Sequence, residues 1–145
     1  MTTAQKDSDR GESGDVRTAI VDGSNVAFSS EGDVGVLDNI RLVTEKLEEE
    51  GFEPIVLVDA ALRHKIDDPA HFEQMVDDGR IRQAPAGTDA DYFILSFAKE
   101  FDAEIVSNDR FRDSSDEFRE QRERVIRFMI VNGEVVFERR HRRRR

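Results

Sequence analysis

The 145-residue sequence contains no cysteine, which excludes a disulfide framework and every thiolate zinc site. Its three histidines, at positions 64, 71 and 141, lack zinc-motif spacing, so a metal bound by this chain is expected to be held by oxygen. Lysine is scarce, at positions 6, 46, 65 and 99 only. No apolar run approaches the roughly 18 residues that a membrane-spanning helix needs. Met1 to Asp15 is polar and acidic rather than a secretory signal, and a cytoplasmic protein is expected.

The charge that is present is uneven. The formal net charge is −10, yet six of the 22 Lys and Arg are Arg139, Arg140 and Arg142 to Arg145, so residues 1–138 carry 16 basic against 32 acidic side chains. An acid-rich, lysine-poor surface suits concentrated salt, where screening suppresses self-repulsion, and a halophilic setting is expected. With 37% hydrophobic residues the chain can bury one core of ordinary size, hardly two. The expected organisation is a disordered acidic leader over 1–15, one domain over 16–138 and an Arg-rich tail over 139–145.

Apolar patterning within the domain alternates between strand and helix. Thr18 to Asp22 reads as a short buried strand, and Val34 to Glu50 carries a helical stripe at 36, 37, 40, 43 and 47 closed by Gly51. Glu53 to Asp59 contains the continuous run Ile55-Val56-Leu57-Val58, the signature of a strand covered on both faces. A short helical turn is expected over Ala60 to Lys65, a helix from Pro69 to Gly79 and a short strand from Arg80 to Ala84. Thr88 to Phe101 predicts a helix buried around much of its circumference, and Glu104 to Ser107 the next strand. Arg124 to Val131 and Glu134 to Glu138, joined by Asn132-Gly133, predict a closing hairpin. The fold class is therefore α/β, a three-layer sandwich on a mainly parallel sheet with a C-terminal hairpin.

In such sheets, sites lie off the carboxyl ends of the strands. Asp22 ends the first strand within Asp22-Gly23-Ser24-Asn25, a run that could alone be a tight turn. Asp89 and Asp91 open the long helix, and Asp109 follows the strand ending at Ser107, with Asp113 at i+4 on a shared face if that segment is helical. Carboxylates packed together repel, and a divalent cation resolves the repulsion; Mg²⁺ or Mn²⁺ prefers oxygen ligands and retains waters. Each Asp alone is as well explained as a cap or a solvated side chain; their joint placement is less easily explained so. Asn25 can orient a ligand without adding charge, Ser24 is evenly balanced between roles, and Asp59 reads chiefly as a cap for the turn at Ala60. Arg63, Lys65, Arg110 and Arg112 are candidate phosphate contacts, or ion-pair partners of nearby acids. His64 reads with Arg63 and Lys65, and His71 as helix surface.

The run Ile20-Val21-Asp22-Gly23-Ser24-Asn25-Val26-Ala27, then Asp91-Tyr92-Phe93-Ile94-Leu95, then Ile105-Val106-Ser107-Asn108-Asp109-Arg110-Phe111-Arg112-Asp113 resembles the NYN-type, PIN-like ribonucleases, nearest to the ribonuclease domain of the Regnase (MCPIP) group. The resemblance runs from about Arg17 to about Phe137. It implies a Rossmann-like PIN fold and Mg²⁺- or Mn²⁺-dependent endonucleolytic cleavage of single-stranded RNA, by in-line attack of a metal-activated water. It also implies that Asp22, Asp91 and Asp109 bind the metal directly or through water, that Asn25 orients the site and that Asp113 completes its acidic wall; Ser24 and the four cations are, from the residues themselves, the first places to look for an RNA path. A homodimer, and an antitoxin or other regulatory protein, are partners known among PIN-like proteins. Where the Regnase-type pattern has two consecutive Asp residues, Ala90 takes the first place and Asp89 precedes it, which leaves open whether Asp89, Asp91 or both complete the ligand set. The Arg-rich tail is expected as an accessory RNA contact. A second reading is a catalytically weak RNA-binding or protein-interaction module. Haloacid-dehalogenase-type phosphatase chemistry is disfavoured because Ser24 stands where a second Asp belongs, and no Walker A motif is present.

Overall fold

The computed structural model of the protein describes residues 16–138; the acidic leader and the Arg-rich tail lie outside them. Strands β1 (Arg17–Asp22), β2 (Phe52–Val58), β3 (Ile81–Gln83), β4 (Glu104–Val106) and β5 (Val125–Ile126) form one parallel sheet in the order β3-β2-β1-β4-β5. Ile20 of β1 sits opposite Ile55 of β2 and Ile105 of β4, which fixes the register at the centre. Helices α1 (Gly23–Ala27), α2 (Leu37–Glu49), α3 (Pro69–Asp77), α4 (Ala90–Phe101) and α5 (Arg119–Arg122) make the crossovers, with 3₁₀ turns at Ala60–His64 and Asp116–Phe118. Strands β6 (Phe128–Val131) and β7 (Glu134–Phe137) form a separate antiparallel hairpin.

The alternation of side chains along each strand builds the two cores. Ala19, Val21, Val56, Val58 and Val106 pack on one face against α1, α2, α3 and the hairpin. Ile20, Leu57 and Ile105 point the other way, against α4 and the rings of Phe111 and Phe118. A strand whose successive residues are buried on opposite faces reads as a continuous apolar run. Helix α2 buries the expected stripe, Leu37, Ile40, Val43 and Leu47, and Gly51 at φ +91° carries the chain past its end. Helix α3 starts at Pro69, with Asp68 accepting from the His71 amide at 3.2 Å.

Three expectations need correction. Helix α4 buries one face only, Ile94, Leu95 and Ala98, while Tyr92 and Phe101 are exposed, so its aromatics do not all serve the core. Arg124 to Val131 is not one hairpin arm: it divides at Arg127, Val125 and Ile126 pairing with β4 as a fifth parallel strand and Phe128 onward turning back in the hairpin. Helix α2 begins at Leu37, not Val34, because Gly35 bridges to Ile66 in extended backbone. The chain lays β2 and β3 on one side of β1, then crosses to place β4 and β5 on the other. The carboxyl ends of β1 and β4 thus flank the topological switch point, where α/β sheets open a crevice.

Candidate active site

Asp22 is the last residue of β1 and also caps α1, its Oδ1 accepting from the Asn25 amide at 3.4 Å. The run 22–25 is therefore a strand-to-helix junction and not a tight turn; neither Gly23 nor Asn25 has positive φ. Glycine is needed at 23 for another reason. A Cβ there would lie 2.6 Å from Val58 Cγ1, 2.9 Å from Val56 Cγ1 and 3.0 Å from the Leu57 carbonyl oxygen, so α1 can start this close to β2 only without a side chain.

The neighbouring side chains lock the junction. Ser24 Oγ accepts from the Asp59 amide at 3.1 Å, joining the ends of β1 and β2. Asn25 Oδ1 accepts from the Asn108 amide at 2.9 Å, and Ser107 Oγ donates to Asp22 Oδ2 at 2.7 Å, joining β1 to the segment after β4. Ser107 Oγ also accepts from the Asp109 amide at 3.0 Å. Asn108 pairs with Phe128 on both sides, Nδ2 donating to its carbonyl at 3.1 Å and Oδ1 accepting from its amide at 3.0 Å. The Ser107-Asn108-Asp109 run is thus a connector that ties three segments together. The sequence motif assigns no role to Ser107 and Asn108; a short polar pair directly after a buried strand is the signal that marks them.

Asp109 Oδ1 accepts from the Phe111 amide at 2.8 Å, and Phe111 adopts φ +55° with its ring buried in the second core. A bulky residue in the left-handed region costs about 1–3 kcal/mol, here offset by burial of the ring. This turn prevents a helix from Asp109 to Asp113. Asp113 is exposed in the following turn, outside the crevice, so the conditional shared helical face does not form.

One crevice of about 290 Å³ is lined by Asp22, Asp91 and Asp109 together with Ser24, Asn25 and Asp59. Asp22 is 7% exposed, and burial pushes its carboxyl from 3.8 up to about 6, against the Ser107 and Asn25 hydrogen bonds; the charges of Asp91 and Asp109 push in the same direction as burial. Asp91 is raised as well, first by burial and then by Asp109 and Asp89. Asp89 caps α4, its Oδ1 accepting from the Asp91 amide at 3.0 Å, and its side chain does not line the crevice. Ala90 does line it. Asp59 makes no side-chain cap bond to the turn it precedes, contrary to its reading as a cap.

The cations divide. Arg63 is held by Glu73 at 2.8 Å. Lys65, Arg110 and Arg112 are exposed, with no ion pair among the described residues; Arg110 and Arg112 lie between Asp109 and Asp113 in the chain.

The donor set is all oxygen, which suits a hard cation such as Mg²⁺ or Mn²⁺. Among the described residues, no three His, Asp or Glu gather closely enough to hold a metal unaided. An ion that keeps several of its waters, as Mg²⁺ does, needs only one or two carboxylates as direct ligands.

The fold is shared with two structures of Arabidopsis thaliana nuclear protein-only RNase P 2. One is 23% identical with a TM-score of 0.67, over 94% of this chain and 32% of that one. The other is 22% identical with a TM-score of 0.70, over 96% and 33%. The chain therefore spans about a third of the length of these relatives. No curated protein matches it. The model of the Zc3h12a-like ribonuclease NYN domain matches residues 15–145, and the chain belongs to that family.

Proposed function

We propose that the crevice is a divalent-cation-dependent endoribonuclease centre acting on single-stranded RNA. The observation that carries this reading is the convergence of Asp22, Asp91 and Asp109 from three separate segments on one crevice at the switch point, where the charges of Asp91 and Asp109 add to burial in raising the proton affinity of Asp22. Membership of a ribonuclease domain family supports it.

Asp22, Asp91 and Asp109 are the residues that would hold the cation, directly or through its waters. When bound, Mg²⁺ or Mn²⁺ supplies an activated water for in-line attack on phosphorus and offsets charge on the phosphate oxygens. Ser107 and the Asn25 amide favour the ionised form of Asp22, the form able to bind a cation, and fix its orientation. Asn25 holds the Asn108 backbone and so sets the direction in which Asp109 enters the crevice. Arg110 and Arg112 are the first candidates for a phosphate beyond the cleaved bond, and Ser24 and Lys65 for further RNA contact; Arg63, held by Glu73, is a weaker one. Asp113 would act only at the rim. Neither a homodimer nor an antitoxin or regulatory partner gains support from the comparisons.

The test is cleavage of a labelled single-stranded RNA with Mg²⁺, with Mn²⁺ and with EDTA, followed by analysis of the ends. Cation-dependent cleavage leaving 5′-phosphate and 3′-hydroxyl ends is the expected result. Cleavage undiminished by EDTA would sink the proposal. A second reading, a catalytically weak RNA-binding or protein-interaction module, draws on Ala90, which places a methyl group where the family pattern has a carboxylate. RNA binding that persists in EDTA, with no cleavage under any metal or salt condition, would favour it.

A further inference from the structure

The crevice has an apolar lining besides its carboxylates. Ala90 and Phe93, one turn apart on α4, line it with Leu57, Val58 and Ala84 from the ends of β2 and β3. Phe93 is half-buried and belongs to neither core cluster. Phe97, one turn further along α4 and so further from the crevice, stacks on Phe93 with centroids 6.0 Å and planes 27° apart. The Arg82 guanidinium lies 5.9 Å from the Phe97 centroid, on the ring that backs Phe93. Phe97 thereby packs on one side of the Phe93 ring, and Phe93 itself lines the crevice together with Ala90.

We infer that this apolar shelf is the stacking site for one base of a single-stranded RNA whose phosphate lies at the carboxylates. The inference rests on the RNA substrate named above and adds how this chain holds it. A body carrying 16 basic against 32 acidic side chains over residues 1–138 gains little from phosphate neutralisation, which in most nucleic-acid-binding proteins supplies much of the affinity. A base is neutral and planar, so it escapes the repulsion that its own phosphate meets. Stacking on an aromatic ring is worth a factor of about 5 to about 150 in affinity per base and tolerates any sequence. It is also little affected by salt, unlike contacts between exposed charges. Ala90 acquires a role here, because a carboxylate at that position would put charge against the base.

The probe is a short single-stranded oligoribonucleotide carrying one 2-aminopurine, placed in turn at each position, bound to the full chain bearing Asp109→Asn in Mg²⁺. Stacking quenches 2-aminopurine. The expected result is quenching confined to one or two adjacent positions, retained by Phe93→Tyr and lost with Phe93→Leu or Ala90→Leu, with affinity falling by a factor of about 5 to about 150. Quenching that is absent, equal at every position, or unchanged by both Phe93→Leu and Ala90→Leu would overturn the shelf, as would a failure to bind RNA. Phe93→Leu keeps apolar bulk outside the cores; should it not fold, Ala90→Leu and Phe93→Tyr decide. The two proposals fail separately. Phe93-dependent quenching in a chain that cleaves nothing removes the nuclease alone. Cleavage whose KM is unchanged by Phe93→Leu, without local quenching, removes the shelf alone.

Discussion

Ser107 and Asp22 lie 85 residues apart in the chain, yet the serine hydroxyl donates to the carboxylate at 2.7 Å with both residues buried. The same hydroxyl accepts from the Asp109 amide, so one oxygen orients two of the three carboxylate-bearing residues. Ser107→Ala leaves a buried carboxylate and a backbone amide each short of a partner. The expected loss is about 1–3 kcal/mol of stability, measured by denaturant unfolding. The Asp22 carboxyl should also move further upward, which NMR titration reads directly; an unmoved Asp22 would show that the hydrogen bond does not favour the charged form.

The buried carboxyl of Asp22 makes stability depend on pH in a definite direction. Its folded value, about 6, lies above the ordinary 3.8. The group therefore favours folding at low pH, and that contribution is lost as pH rises through about 6. At about 1.4 kcal/mol per unit the ceiling is about 3 kcal/mol. In metal-free buffer Asp22→Asn should be nearly neutral at pH 4 and more stable than the wild type at pH 8, by up to that amount, while losing cleavage. A difference that does not grow between pH 4 and pH 8 would mean that the carboxylate is not desolvated as described.

Asp89 and Asp91 have separate tasks. Asp89 caps α4 and Asp91 lines the crevice. Asparagine caps a helix about as well as aspartate, so Asp89→Asn should keep both stability and cleavage within a few-fold, while Asp89→Ala should cost about 1 kcal/mol. Asp91→Asn should keep stability and lose cleavage by at least about a hundredfold, an expected 2.7 kcal/mol or more of transition-state stabilisation. Equal losses in Asp89→Asn and Asp91→Asn would return both residues to the site.

Gly23→Ala tests the close approach of α1 to β2. The added methyl meets the Val58 and Val56 side chains and the Leu57 carbonyl, and overpacking of this kind costs about 1–3 kcal/mol. Val58→Ala removes the nearest atom and should recover part of the loss in the double variant, measured by thermal unfolding. Additive losses would place the strain elsewhere.

The parallel sheet and its helices were legible because burial on both faces leaves a continuous apolar run and burial on one face leaves a helical stripe, as at Ile55 to Val58 and at Leu37, Ile40, Val43 and Leu47. The position of Asp22, Asp91 and Asp109 followed from the same alternation. What the sequence hid was tertiary. The roles of Ser107 and Asn108 depend on partners 20 to 85 residues away, and no local pattern encodes those distances. The left-handed Phe111, which separates Asp109 from Asp113, occurs at an aromatic residue where glycine or asparagine would have signalled it. Helix α4 reads as buried around much of its circumference because aromatic residues suit a core, yet Phe93 lines the crevice and Phe101 is exposed.

The central claim is that three carboxylates from separate segments act as one cation-dependent centre. It is tested most directly by comparing the wild type with Asp22→Asn, Asp91→Asn and Asp109→Asn on one labelled single-stranded RNA, each with Mg²⁺, with Mn²⁺ and with EDTA, at low and at molar salt. The account predicts cation-dependent cleavage by the wild type alone, with all three variants folded and each reduced by at least about a hundredfold. Equal cleavage by the wild type and the three variants, or cleavage unaffected by EDTA, would contradict it.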